Sequence, residues 1–472
     1  MNLIKLPLFH LYLLQLENFD LIRLWRIMFT RGLLWYTKPR KSIMWTIKLR
    51  FVFTLSLVLH LLLTIIAITM SYLTGAIVLV SGFFMYPLFF TVVTVLVLPI
   101  DSLIKQIIIQ IAAFKMRRLS NVKIIGIAGS YGKTTTKELV ASVLSQKYRV
   151  LKTPENINTP LGISRLILKN FTPAIEIFVV EMGEFYRGDI KAICDIVKPD
   201  IAVVTGINEA HLERLKNLDQ TISTIFEVVT NSQKDASVVL NADDKNITQS
   251  FSRYCTKRVV HPYSSHTTKG KFAITNVTFR PDGGGQSFTL TKNKDSQRIS
   301  TQLLGHYAIG SCICAATVGE LLDINLTDIT RGIAQVSPVS HRLQPIHNPH
   351  GILIIDDSYN GSSAGVKEAI GVLSQFGDRR KVFVTPGLVE TGTLAHEVHR
   401  TIGNKLAPVA NLVLLIKNSV TDSIVAGLKD GNFPPENIVL FSDATTAYSQ
   451  LRQYLKPGDV VLLQNDWPEN YI

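Results

Sequence analysis

The segment "KIIGIAGSYGKTTTKEL", residues 123 to 139, has the residue types and spacing to hold a chain of phosphates. Gly129 and Gly132, with Ser130 between them, let the backbone curl until its N–H groups face an anion. A helix predicted to open at Lys133 adds the positive end of its dipole, and the lysine ammonium reaches the outer phosphates. Thr134 offers a hydroxyl to Mg²⁺, and Thr135 extends the same turn. An apolar run of strand length precedes the loop and a helical pattern follows it, which is the setting such a loop needs. The first glycine of the usual G-x-x-x-x-G-K-[ST] pattern is replaced by Ile127, so the loop is a shorter variant. Its ligands are expected to be ATP and Mg²⁺.

The elements that must position this loop are legible from residue 121 onward. "VKIIGIAG", "EIFVVEMG", "DIAVVTGI" and "SVVLNADD" are apolar runs ending in Gly or Asp, with helical stretches between them. Strand, turn and helix in alternation predict an α/β central domain, residues 121–340, built on a parallel sheet. Residues 258 to 303 interrupt the rhythm and read as antiparallel hairpins, with Gly283 to Gly285 as a turn. A second series, "GILIIDDSY", "RKVFVTPG", "NLVLLIK", "NIVLFSD" and "DVVLLQND", predicts a doubly wound, Rossmann-like C-terminal domain over 341–472. In such sheets ligands gather at the carboxyl ends of the strands.

The first 120 residues are of another kind. Residues 51 to 100 contain no Asp, Glu, Lys or Arg, a stretch longer than the ~20 residues of one bilayer crossing. "SYLTG", residues 71 to 75, offers a turn, so a transmembrane helical hairpin is predicted over 51–100. A cytoplasmic or interfacial segment (1–50) precedes it and a basic linker helix (101–120) follows. Residues 1 to 123 carry 14 Lys/Arg against 3 Asp/Glu, which accounts for most of the formal net charge of +13. Both flanks of the apolar stretch are basic. The expected location is therefore the cell membrane, multi-pass, with both chain ends and the catalytic domains in the cytoplasm. The basicity is juxtamembrane, with no aromatic interleaving, so no nucleic-acid partner is expected. The N-terminus lacks the pattern of a cleaved signal, while "LIRLWRIMF" suits a helix at the bilayer interface. Cys194, Cys255, Cys312 and Cys314 have neither metal spacing nor a disulfide framework, as in a reducing compartment.

Taken together, the loop and the motifs after it resemble the Mur ligases, the ATP-dependent amide synthetases of bacterial cell-wall assembly. "TPENINTPLGIS", "EMG" with "GDI" downstream, "PDIAVVTGINEAHLE", "LNADD", "HRL" and "IIDDSYN" recur in that family in this order. The resemblance covers residues 121 to 472. It is strongest to the member that adds D-alanyl-D-alanine to a UDP-linked muramoyl tripeptide, whose small uridine-binding domain has no counterpart in residues 1 to 120. It implies that Glu181 and His211 hold Mg²⁺, that Arg342 reaches the ATP phosphates and that Asp356 binds the ribose. Lys133, His211 and Arg342 are the implied catalytic residues. Asn156, Asn158, Thr159, Asp357, Tyr359 and Asn360 are expected to shape the substrate cleft. Asn241 and Asp244 are assigned structure before catalysis, and His399 helix packing.

Several positions depart from the family pattern. Ile225 stands where a carbamate-modified lysine would help hold a second Mg²⁺, although Glu227 keeps the nearby glutamate. Tyr307 and Ala308 replace a His–Asn pair on the adenine side. Ser362 and Ser363 replace an Asn-Pro, and "LLQNDWPENY" stands in place of a Lys-Gly-Ser-Arg-like segment. The resemblance implies an ADP-forming acid–amino-acid ligase that works through an acyl phosphate. Its expected partners are a muropeptide acceptor, UDP- or lipid-linked, an amino-acid or dipeptide donor, and the bilayer. A membrane poly-γ-glutamate synthase-like ligase and a non-catalytic tethered scaffold are the alternatives.

Overall fold

The computed structural model describes residues 5–32, 36, 42–119, 121–155, 157–208, 215, 217–266, 270–359, 361–388 and 394–465. It divides into two units, Met1–Ile107 and Ile108–Ile472.

The first unit is helical among its described residues: α1 (Lys5–Leu16), α2 (Leu21–Arg31), α3 (Ile47–Met70), α4 (Tyr72–Gly82) and the part of α5 (Tyr86–Arg117) that ends at Ile107. The break expected in "SYLTG" falls at Ser71, which ends α3 and caps α4 by accepting the Thr74 amide on its hydroxyl. α4 then folds back along α3, and its glycines permit close approach: a Cβ on Gly82 would lie 2.0 Å from His60 Nε2. One stripe of α3, including Ser56, His60 and Thr64, is buried, while Leu61, Leu62, Ile65 and Ile66 are exposed. α3 and α5, at 24 and 32 residues, are long and apolar enough to cross a membrane. α4, with 11 residues, is too short. Two long apolar helices are present as expected, but their bounds differ from the expected ones: the short α4 stands between them, and the second long one starts only at Tyr86. It runs without a break to Arg117, so most of the expected basic linker, 101–120, is the end of α5.

The second unit holds a parallel α/β sheet, a mostly parallel one with a single antiparallel edge strand, and a small antiparallel one. The first sheet follows the chain as β1 (Lys123–Ala128), α6 (Lys133–Leu144), β2 (Val150–Lys152), α7 (Pro160–Asn170), β3 (Ile177–Glu181), α8 (Asp189–Val197), β4 (Ile201–Val204), α9 (Leu218–Ile225), α10 (Glu227–Thr230), β5 (Ser237–Asn241), α11 (Lys245–Tyr254) and β6 (Val260–Tyr263). Its strand order is β2-β3-β1-β4-β5-β6. β1 lies between β3 and β4, with Ile127 opposite both Glu181 and Val203. Its strands are apolar on both faces because helices cover both. α6 buries Leu139, Val140 and Val143 in one core, and α7 and α8 bury Ile163, Ile167, Ile190 and Ile193 in the other.

β7 (Phe272–Phe279), β8 (Gln286–Lys292) and β9 (Asp295–Thr301) form the antiparallel sheet, turning through Gly283 to Gly285 as expected. α12 (His306–Leu321) and α13 (Leu326–Ala334) then pack on α6, where Gly319 and Gly332 meet Val143.

The C-terminal sheet comprises β10 (Gln344–His347), β11 (Leu353–Asp357), α14 (Ser363–Ser374), β12 (Lys381–Thr385), α15 (Ala395–Leu406), β13 (Leu412–Ile416), α16 (Thr421–Asp430), β14 (Ile438–Phe441), α17 (Ala444–Tyr454) and β15 (Val460–Gln464). Its order is β10-β11-β15-β12-β13-β14, with β10 antiparallel at the edge and the last strand inserted beside β11. The two lobes meet where the Glu368 carboxylate of α14 accepts the His306 and Tyr307 amides that open α12. Phe279 and Phe376 stack edge to face beside this joint, 4.9 Å between ring centroids.

Candidate functional site

The loop of Gly129 to Gly132 lies between β1 and α6. Gly132 sits in the left-handed region at φ 77° and opens α6 with no side-chain cap, which leaves first-turn N–H groups for an anion. The loop is braced from behind. Ser130 N donates to Gly206 O at 2.7 Å, Thr205 Oγ1 donates to Tyr131 O at 2.5 Å, and Tyr131 Oη donates to Asp244 Oδ2 at 2.8 Å. The Tyr131 ring fills the space beside Gly206, where a Cβ would sit 2.1 Å from it. Burial, and next the Asp244 charge, push the Tyr131 phenol far above its ordinary range.

Lys133 and Glu181 come from adjacent strands, because β1 feeds α6 and β3 ends at Glu181 beside it. Glu181 is 2% exposed. Its Oε1 accepts from Asn158 Nδ2 at 3.3 Å, and its amide donates to Thr153 Oγ1 at 3.1 Å. Its Oε2 lies 3.2 Å from Lys137 Nζ without the geometry of a hydrogen bond. A buried carboxylate oxygen that has an ion-pair partner but no hydrogen-bond donor, at the end of the strand beside the glycine loop, fits Mg²⁺, which binds through one or two carboxylates plus phosphates and water. Thr134, on the first turn of α6, could add its hydroxyl. Among the described residues no group of three or more His, Cys, Asp or Glu could hold a metal by itself. Lys133 Nζ donates to Gly129 O and forms an ion pair at 2.8 Å with Glu184, a residue that sequence reasoning did not single out.

Asn158 orients Glu181, and Thr159 caps α7 by accepting the Gly162 amide at 3.3 Å. Asn241 donates to Thr205 O at 2.8 Å, and Asp244 caps α11, so both brace the loop. His211, Asn156 and Asn360 lie outside the described residues. Ile225 is fully buried in the core beside Phe226 and Val228. Glu227 uses both oxygens on the Gly188 and Lys191 amides at the start of α8, and burial raises its pKa against those bonds.

In the C-terminal lobe the predicted residues gather at the end of β11, engaged with one another. Asp356 Oδ2 is 2.7 Å from His341 Nδ1. Arg342 donates from Nη1 to Tyr359 O at 2.8 Å and lies over the Tyr359 ring. Asp357 accepts the Leu343 amide at 3.2 Å, and burial pushes its carboxyl up to about 7 despite the nearby Arg342. His399 is buried and accepts the Leu388 amide on Nε2 at 2.8 Å. Tyr307, at the position of the missing adenine-side residue, lies against the loop residue Tyr131, with ring centroids 4.9 Å apart. Burial pushes the Tyr307 phenol up to about 12.

An uncapped phosphate loop, a strand-end carboxylate beside it and a second α/β lobe joined through α12 define a two-lobed nucleotide enzyme. Residues 127–319 match the model of the Mur ligase middle domain, and residues 341–464 match that of the Mur ligase glutamate ligase domain. The chain belongs to the Mur ligase family, and with it to the ATP-dependent, ADP-forming ligases that use Mg²⁺. It is 26% identical over 375 residues to the UDP-N-acetylmuramoyl-tripeptide--D-alanyl-D-alanine ligase of Escherichia coli (strain K12), covering 77% of this chain and 80% of that one. The MurF ligase from Thermotoga maritima in complex with ADP superposes with a TM-score of 0.67 at 25% identity, over 77% of this chain and 80% of that one. MurF from Acinetobacter baumannii shares the fold, with a TM-score of 0.68 at 22% identity over 76% and 77% of the two chains.

Proposed function

We propose that this chain joins a muropeptide carboxylate to the amine of a short donor, most like D-alanyl-D-alanine, while ATP is converted to ADP and phosphate. The observation that carries the reading is that the glycine loop leading to Lys133 follows β1 while Glu181 ends the neighbouring strand β3, opposite Ile127, in a chain whose relatives bear that activity in their names. The loop amides and the start of α6 hold the phosphates, and Lys133 offsets charge on the transferred group. Glu181 and Thr134 would hold Mg²⁺, which supplies further charge neutralisation when bound. A carboxylate resists attack by an amine. Transfer of the terminal phosphoryl group to a carboxylate oxygen makes an acyl phosphate, and the amine then forms the C–N bond as phosphate leaves. Arg342 and Asp356 would exchange their present partners, Tyr359 and His341, to reach the nucleotide as the lobes close and exclude water.

The apolar helices α3 and α5 support a membrane location, with the basic flanks on the cytoplasmic side, where the acceptor is either UDP-linked or carried on a lipid. Confining enzyme and acceptor to one surface raises their effective concentration. The test is acceptor-dependent phosphate release from ATP, screened over D-alanyl-D-alanine, single amino acids and glutamate, with UDP-linked and lipid-linked acceptors compared. Release with D-alanyl-D-alanine supports the reading. Formation of AMP and pyrophosphate, or no release with any pair, overturns it. Faster turnover on the UDP-linked acceptor removes the lipid-linked part.

A further inference from the structure

Lys133 and Lys137 stand one helical turn apart on α6 and face two carboxylates at the end of β3. Lys133 Nζ is 2.8 Å from Glu184 Oε1, and Lys137 Nζ is 3.2 Å from Glu181 Oε2. All four side chains are withdrawn from water: Glu181 and Glu184 are 2% exposed and Lys137 0%, with only the Lys133 side chain reaching 13%. The set is neutral as paired. A phosphate loop works by offering an unpaired cation to phosphates, whereas here the loop lysine is already neutralised. A nucleotide that drew Lys133 away would leave Glu184 buried, charged and facing more negative charge, a situation that costs several kcal/mol if uncompensated. A divalent cation resolves it. Glu181 Oε2, ion-paired with Lys137 but without a hydrogen-bond donor, is the second carboxylate oxygen open to such a cation, and Ile225, sealed in the core, brings no ligand of its own.

We infer that Glu184 is an exchange ligand. It holds Lys133 while the loop is empty, and releases it to the phosphates when Mg²⁺-nucleotide enters. Its freed carboxylate would then stand with Glu181 as a negative partner for the cation. Metal-free nucleotide is thereby excluded from the loop. This inference rests on the loop being the nucleotide site.

The test is calorimetric titration of the full-length, detergent-solubilised protein with ADP, in EDTA and in Mg²⁺. Wild type is expected to bind ADP at least ~100-fold more tightly with Mg²⁺. Glu184→Gln keeps the shape but removes the charge, and should bind metal-free ADP ~10-fold more tightly than wild type, losing most of the metal advantage. Glu184→Asp should keep it. As a second measurement, Mn²⁺ binding without nucleotide is followed by electron paramagnetic resonance. Lys133→Met strips Glu184 of its partner and should tighten Mn²⁺ binding about 5-fold or more. A metal advantage in Glu184→Gln within about 2-fold of wild type, or unchanged Mn²⁺ affinity in Lys133→Met, overturns the exchange. If wild type binds Mg²⁺-ADP while these variants behave like it, only the exchange fails. If wild type binds neither form, the nucleotide-site reading fails with it.

Discussion

The hydroxyl of Tyr131, inside the phosphate loop, donates at 2.8 Å to the carboxylate of Asp244, 113 positions further along the chain. The same carboxylate accepts the Ile207 amide at 2.8 Å and the Ile247 amide at 3.0 Å. One side chain thus ties together the loop, the segment after β4 and the start of α11. Asp244→Ala removes a helix cap and strands two donors, so it should destabilise the second unit by about 2–4 kcal/mol. Tyr131→Phe removes one bond and should cost ~1 kcal/mol. Chemical denaturation of both variants checks the ranking, and equal losses would show that the Tyr131 bond dominates.

Lys133→Ala should lower acceptor-dependent phosphate release by ~10²-fold or more, because a charge preorganised for the transferred phosphoryl group is lost. Circular dichroism should remain that of wild type. Unchanged turnover would remove Lys133 from the reaction.

Asp357 makes stability depend on pH. Burial raises its carboxyl to about 7 in the folded chain, against about 3.9 in an unfolded one. Between those values the folded chain keeps a proton that the unfolded chain has lost, so stability falls as pH rises from about 4 through 7. Asp357→Asn should leave stability unchanged near pH 4 and raise it by up to a few kcal/mol at pH 8. Unfolding curves at the two pH values test this, and a gain of equal size at both would refute it.

In the first unit, Gly82→Ala would drive a methyl group into the His60 ring, with 2.0 Å separating Cβ and Nε2. A loss of about 1–3 kcal/mol is expected as the helices part to accommodate it. A Cβ added at Gly371, on α14, would meet nothing within 4 Å, and Gly371→Ala should stabilise by about 0.5–1 kcal/mol. Thermal unfolding in detergent distinguishes the two directions.

Much of this protein could be read along the chain. The apolar runs became β1, β3, β4, β5, β11, β12, β13, β14 and β15, and the turn at Gly283 formed where expected, because continuous apolar runs and glycine geometry are local properties. The strands β2 (VLK), β6 (VHPY) and β10 (QPIH) are short and mix polar residues or proline among the apolar ones, so no continuous apolar run marks them. α5 crosses the expected end of the membrane segment because helical propensity continues past the last purely apolar residue. That Ile225 cannot hold metal was plain from its side chain. That Glu227 is committed to the α8 amides was not.

The glycine loop between a strand and a helix, the two α/β series and the apolar character of the first hundred residues can all be read along the chain, since each depends on neighbours a few positions apart. That β15 lies between β11 and β12, and that Lys133 pairs with Glu184, 51 positions away, emerges only when the chain is folded. Strand order and buried charge pairing follow from which distant ends the sheet brings within hydrogen-bonding reach, and no local pattern encodes that distance.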